Sequence, residues 1–260
     1  MVGIYFSGTG NTKHCINQFV KNYDDSASVI SIEEPLSVEA IKENEVIIFA
    51  YPIYFSSLPK IVSNYIKENK DIFKGKKIFI IVTMALFSGD GAGCSGRLFE
   101  KYGAEIIGGL HLKMPDCIGD EKVLKKPLEK NKEIVRLADN KINMAVKKLK
   151  NGQPTKEGLG IFYHAAGLFG QRLWFYNKTR NYSDKLKIDK SKCIGCGLCS
   201  TICPMNNISI VDKKAEPQGK CTMCYRCVSN CPNQAITLLG KVIYEQCRIE
   251  NYVDESNNNQ

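Results

Sequence analysis

The sequence has 260 residues and no apolar run that approaches the ~20 needed to span a bilayer. No leader precedes the first apolar run, which begins at Val2, so the expected location is the cytoplasm. Nucleotide-binding signatures are missing too. The loop from Ser7 to Thr12 does not continue into the Gly-Lys-Ser/Thr of a Walker loop, and Lys13 stands where a dinucleotide fingerprint needs its third glycine. With no second candidate loop, direct reduction by a nicotinamide is not expected. Histidine is scarce: His14, His111 and His164 are far apart in the chain and read as packed or surface residues rather than ligands.

Cysteine is abundant by contrast, with 12 residues, eight of them between Cys193 and Cys231. Cys193, Cys196, Cys199 and Cys203 precede Pro204; Cys221, Cys224, Cys227 and Cys231 precede Pro232. A shift of 28 residues superimposes the two sets, prolines included, and carries Lys192 onto Lys220 and Ile208 onto Ile236. The stretch is an internal repeat. Structural zinc takes its ligands as separated pairs and would leave the third cysteine of each run surplus, while disulfides need an oxidising compartment. The C-x2-C-x2-C-x3-C-P run resembles that of the two-cluster bacterial ferredoxins, over about residues 186–239. That resemblance implies two [4Fe-4S] clusters with crossed ligation. One is expected on Cys193, Cys196, Cys199 and Cys231, the other on Cys221, Cys224, Cys227 and Cys203. Three closely spaced thiolates reach three irons of one cubane, and the fourth lies too far along the chain to close the same site. The remaining Cys15, Cys94, Cys117 and Cys247 read as small buried hydrophobes.

The chain is too long for that repeat alone and suits two domains. In the N-terminal part, the run Val2 to Phe6 reads as a buried strand that empties into Ser7-Gly8-Thr9-Gly10-Asn11-Thr12, after which Cys15, Ile16, Phe19, Val20 and Tyr23 recur at helical spacing. Strand, hydroxyl-rich loop and helix make a phosphate cradle. The loop resembles the flavodoxin phosphate loop, whose T/S-x-T-G-x-T pattern is met by Ser7, Thr9, Gly10 and Thr12. The resemblance implies FMN and a doubly wound α/β parallel sheet of order 2-1-3-4-5 over residues 1–150, beside a small α+β two-cluster ferredoxin domain over 184–240.

Strands are expected at Ala27 to Ile32, Glu45 to Ala50, Lys77 to Thr83 and Ile106 to Leu112. The loops after the third and fourth strands are where flavodoxins hold the two edges of the flavin ring. They supply Pro52, Ile53, Tyr54 and Phe55, and Thr83, Met84, Phe87, Ser88, Gly89 and Asp90. Tyr54, Phe55 and Phe87 are candidates to stack on the ring, with core packing as the ordinary alternative, and Asp90 reads equally as a helix cap. Met114-Pro115-Asp116 resembles a motif found after the last sheet strand of flavodoxin-type fusion proteins, but Cys117 replaces the asparagine expected next.

Between the domains, residues 151–183 begin with a helix-breaking Gly152 to Pro154 and then carry Phe162, Tyr163, Leu168, Phe169, Leu173, Trp174 and Phe175. So apolar a segment is expected to be a docking helix rather than a free linker; a membrane-surface helix is the alternative. Residues 241–260 are read as a C-terminal tail, polar from Asp254.

The formal charge of +9 could indicate nucleic acid, but two oxidised four-thiolate cubanes at about −2 each and a flavin phosphate at about −2 would leave the loaded protein only mildly basic. Nucleic-acid binding is not expected. The joined halves resemble the flavodoxin and ferredoxin fusion proteins of anaerobes. This implies an electron-transfer iron–sulfur flavoprotein working with a soluble redox partner, for which the basic balance favours an acidic ferredoxin or reductase. A flavin-dependent reductase of a small substrate fed by the clusters and an iron–sulfur redox sensor are the alternatives.

Overall fold

The computed structural model describes residues 1–54, 57–86, 89–160 and 185–253. Its larger unit is a five-stranded parallel sheet of order β2-β1-β3-β4-β5, formed by β1 (Val2–Tyr5), β2 (Val29–Ser31), β3 (Val46–Pro52), β4 (Lys77–Met84) and β5 (Glu105–Lys113). The inner strands are continuously apolar because helices cover both faces. Ile47, Phe49 and Tyr51 of β3 point to one face, Ile48 and Ala50 to the other, and all five are fully buried.

One face packs on α1 (Asn11–Tyr23) and α5 (Leu128–Lys150), through Ile16, Phe19, Val135 and Ile142. The other packs on α2 (Leu36–Glu43), α3 (Lys60–Glu68) and α4 (Gly91–Lys101), through Ile41, Val62, Ile66 and Phe99. Each such side chain contributes about 1.5–3 kcal/mol of transfer free energy. β3 runs two residues beyond the expected Ala50, since Tyr51 and Pro52 pair with Val82 and Thr83 and the Tyr51 hydroxyl donates to Gly91 O at 2.6 Å. β2 is shorter than expected because Ala27 is taken up in the turn after α1, where its N–H donates to Asp24 O. β5 contains a bulge that sets Gly108 opposite Phe79; a side chain at Gly108 would lie 2.5 Å from that ring.

The smaller unit pairs β6 (Lys187–Ile188) with β9 (Ile236–Thr237) and β7 (Ile208–Val211) with β8 (Lys214–Pro217), both antiparallel, around α6 (Leu198–Thr201) and α7 (Arg226–Asn230). The repeat is visible in the backbone. Ile208 and Ile236 each open a strand and are buried, and Asn206 and Gln234 both have left-handed φ, at 49° and 47°.

Residues beyond the repeat return to the larger unit. Ile249 donates its N–H to Thr9 O at 3.0 Å, and Ile249 and Tyr252 join the core around α1 and α5. Residues 155–159 lie along the outer strand β5, with Gly109 N–H on Thr155 O and Glu157 N–H on Gly109 O. The aromatic-rich stretch Phe162 to Phe175 and the terminus from Asp254 lie outside the described residues. No helix among the described residues is long and apolar enough to cross a membrane.

Candidate functional site

Two small cavities hold the eight repeat cysteines, and a larger one holds ten of the sixteen residues expected at the flavin site; Gly10 is not among its wall residues. Cys193, Cys196, Cys199 and Cys231 line the first small cavity, together with Ile194, Leu198 and Ile210. Cys203, Cys221, Cys224 and Cys227 line the second, together with Leu186, Ile208 and Val228. Each cavity thus gathers three cysteines from one repeat and the fourth from the other.

Among the described residues no three His, Cys, Asp or Glu groups converge as tightly as a single metal ion requires. The thiols lie around the walls of the two cavities. Backbone amides face the sulfurs. Asn207 N–H donates to Cys203 Sγ and its repeat counterpart Ala235 N–H to Cys231 Sγ, both at 3.3 Å; Met223 N–H donates to Cys221 Sγ at 3.3 Å and Ala215 N–H to Cys193 Sγ at 3.4 Å. Such donors favour the charged thiolate form.

The two sets differ in setting. The amide of Ala215 brings the Cys193 thiol below its ordinary value, with help from the ammonium groups of Lys214 and Lys190. Burial pushes Cys224 up to about 12 and Cys227 well above the thiol range. Burial raises Cys221 too, and Cys199 in the first set, so these four sites are poor places for bare thiolates, and iron is the charge that could hold them there.

The large cavity, of about 230 Å³, opens at the carboxyl ends of the sheet strands. Strand β1 delivers Ser7, Gly8, Thr9, Asn11 and Thr12 to its wall, β3 delivers Pro52, Ile53 and Tyr54, and β4 delivers Thr83, Met84, Ala85 and Leu86. The Thr12 and Thr83 hydroxyls share a hydrogen bond at 2.7 Å, which ties the first loop to the third. Gly10 takes φ 94° to turn the chain into α1, whose first amides have no partners within the helix. Among the described residues, buried Ser7 Oγ and Asn11 Oδ1 have no hydrogen-bond partner. The Ser7 hydroxyl can donate, and together with the free amides at the start of α1 it fits an anionic ligand group such as a phosphate; Asn11 Oδ1 only accepts, and its Nδ2 is already bonded to Pro115 O at 2.8 Å.

Tyr54 is on the cavity wall, and burial raises its phenol well above the ordinary value. Phe55, Phe87 and Ser88 lie outside the described residues. Gly89 and Asp90 are buried but are not among the described wall residues; Asp90 is held by Arg97 at 2.6 Å.

Sequence reasoning missed two parts of this wall. Met114, Pro115, Asp116, Cys117 and Ile118 form one side, and burial raises the Asp116 carboxyl above its ordinary range. The motif resemblance at Met114-Pro115-Asp116 breaks off at Cys117, so sequence alone leaves a cofactor-side role for this loop open; the fold places it at the cavity. Met223, Cys224 and Tyr225 form another side, from the middle of the second cysteine repeat. No local pattern could assign a cysteine loop to a cavity more than two hundred residues earlier in the chain. Cys224 lines both the large cavity and the second cysteine cavity.

Three contacts hold the repeat there. Gly8 lies so close under the Cys224 carbonyl that a side chain would overlap it. Arg226 donates to Ser7 O at 2.7 Å and to both oxygens of Glu33 at 2.6 and 2.7 Å. Buried Asp120 accepts from the Tyr225 hydroxyl at 2.9 Å and from the amides of Leu238, Leu239 and Gly240 at 2.6, 2.9 and 3.0 Å. Hydrogen bonds to the buried Asp120 carboxylate are worth about 1.5–3 kcal/mol each, and the more exposed Arg226–Glu33 pair less.

Residues 3–94 match a flavodoxin domain and residues 185–232 a 4Fe-4S dicluster domain. Flavodoxin from Megasphaera elsdenii, solved in its two-electron reduced form, is 22% identical over 55% of this chain and 98% of its own, with a TM-score of 0.39. Fusobacterium nucleatum flavodoxin bound to flavin mononucleotide is 18% identical over 58% of this chain and 96% of its own, at 0.40. The Trp repressor binding protein from Bacillus subtilis is 17% identical over 57% and 96%, at 0.43. No curated protein matches the chain significantly. By family, the first domain implies FMN and the second two iron–sulfur clusters. The chain is a fusion of a flavodoxin domain with a 4Fe-4S dicluster domain.

Proposed function

We propose that the protein is an electron-transfer flavoprotein that moves electrons between an external redox protein, two [4Fe-4S] clusters and FMN. When bound, the cubanes supply one-electron chemistry and the flavin converts between one- and two-electron steps. The observation that carries the reading is Cys224, a wall of the flavin cavity and of one cysteine cavity at once. Cys203, Cys221, Cys224 and Cys227 would hold the proximal cluster, and Cys193, Cys196, Cys199 and Cys231 the distal one.

The chain's own residues set the arrangement. Ser7, Thr9, Asn11 and the start of α1 would bind the flavin phosphate. Tyr54, Met84, Met114 and Met223 shield the ring site from water, and Arg226 and Asp120 keep the second repeat seated on it. The cytoplasm of an oxygen-poor cell suits this chemistry.

A second reading, reduction of a small substrate at the flavin, is favoured by Asp116. It is the one carboxyl group among the described residues of the cavity wall, and burial raises it above its ordinary range against the opposing pull of the Ile118 amide and of Lys125 and Lys126. Iron, sulfide and FMN stoichiometry on protein purified without oxygen, followed by a stepwise reductive titration read by absorbance and EPR, tests the carrier. About eight irons and one FMN per chain, with electrons distributing between them, are expected. Eight irons without flavin would refute the reading. Product-forming reoxidation of the flavin that is lost in Asp116→Asn would replace it with the reductase.

A further inference from the structure

The two ends of the cysteine unit have opposite surroundings. The second repeat is sealed against the flavodoxin domain, with Cys224 and Cys227 buried. The first repeat faces outward, and Cys196 is exposed. Ile194, Leu198 and Ile210 line the first cysteine cavity and are also 61%, 40% and 39% exposed, beside Val211 at 44%. Ile194, Leu198 and Ile210 thus separate the distal cluster site from solvent by the thickness of a single layer.

Lysines ring this layer. Lys192 precedes Cys193; Lys190 donates to Ala215 O and Lys214 to Cys193 O; and the Lys213 carbonyl presses on Gly195 closely enough to exclude a side chain there. Residues 185–220 contain seven lysines and three carboxylates, and two of those, Asp189 and Glu216, already pair with Lys192 and Lys190. An apolar centre inside a cationic rim does not suit water or a basic protein.

Building on the carrier reading above, we propose that the face formed by Ile194, Leu198 and Ile210, with Lys190, Lys192, Lys213 and Lys214 around it, is the docking surface for an acidic one-electron carrier protein. The carrier's surface carboxylates meet the lysines, and its own cofactor is brought against the apolar layer. One electron crosses per encounter: the carrier is oxidised by one electron and the distal cluster reduced by one. Steering by such a rim raises the association rate and is screened by salt.

The test uses the full chain loaded with both clusters and flavin, and an acidic two-cluster ferredoxin as the probe. Calorimetry with oxidised ferredoxin gives affinity without turnover, and stopped-flow bleaching of the clusters by reduced ferredoxin gives the rate. Lys192→Glu/Lys213→Glu, both exposed, is expected to lower affinity and rate at least about tenfold at low ionic strength, with the gap closing in high salt. Lys101→Glu/Lys148→Glu, exposed on the flavodoxin domain, should leave both unchanged.

Equal losses in the two double variants, or none in the first, would overturn the docking surface. So would binding of anionic lipid vesicles by the native face with an unchanged ferredoxin rate. Because bleaching is read on the clusters, a flavin that stays oxidised would count against the carrier reading and not against the docking face.

Discussion

Gly195 and Gly197 in the first cysteine repeat occupy the same places as Met223 and Tyr225 in the second, and all four have left-handed backbone, with φ of 71°, 79°, 60° and 59°. The loop that wraps three thiols around a cavity demands this conformation, and glycine meets it without strain. The second repeat uses side chains instead, at about 1–2 kcal/mol for each position. What it gains is visible in the flavin cavity, where Met223 and Tyr225 are wall and the Tyr225 hydroxyl reaches Asp120. The first repeat has open space beyond Gly197 and no wall to build. A duplicated loop has thus been divided by its neighbours into a solvent-facing end and a flavin-facing end.

The largest expected effect comes from exchanging one cysteine between these ends. Cys203→Ala, although it lies in the first repeat, should remove the proximal cluster, lowering iron from about eight to about four per chain and stopping flavin reduction through the clusters. Cys231→Ala should remove the distal cluster and spare the proximal one. EPR of the two variants reads which signal survives; the opposite pattern would mean that each repeat closes its own site.

Acid probes the frame on which the second repeat is seated. His111 of β5 is buried, its ring Nε2 accepts from Ala92 N–H at 3.2 Å at the start of α4, and its backbone N–H donates to Glu157 Oε2 at 2.9 Å. Burial lowers its value to about 4; Glu157 and Asp90 oppose the shift, and Lys141 adds to it. A depressed folded value means that stability is intact above ~6.5, the unfolded value, and is lost as pH falls toward 4, by up to about 3 kcal/mol. Thermal melts between pH 7 and 4 should show this loss, and His111→Gln should flatten it. An unchanged slope in the variant would assign acid sensitivity elsewhere.

A smaller contrast sharpens the comparison directly. Gly8→Ala forces a methyl group against the Cys224 carbonyl and should cost about 1–3 kcal/mol while weakening FMN retention. Gly197→Ala meets no atom within 4 Å and should cost only the backbone strain of about 1 kcal/mol, with flavin retention unchanged. Denaturant melts and flavin release read the two quantities separately. Equal flavin loss in both would mean that Gly8 does not report the docking of the repeat.

Local pattern carried a large share of this protein. The apolar runs at Val2 to Phe6 and Lys77 to Thr83 needed only their composition to be read as buried parallel strands, because a strand covered on both faces has no polar side. The duplicated cysteine run and the hydroxyl-rich loop from Ser7 to Thr12 are contiguous in the chain, so the chemistry each supports is visible without a fold. Strand ends were less legible: Tyr51 and Pro52 extend β3 because of partners on β4 and α4 that lie far along the chain.

The sequence by itself therefore determined that the chain combines a flavodoxin domain with a duplicated cysteine unit, since both signals depend on neighbouring residues. Only the tertiary structure decided which repeat faces the flavin cavity. The repeats share the same cysteine spacing, and the choice rests on contacts between distant segments: Gly8 under Cys224, Arg226 on Ser7 and Glu33, and Asp120 on Tyr225. Such contacts leave no periodicity in the chain, because packing depends on shape and charge brought together by folding and not on order along the backbone.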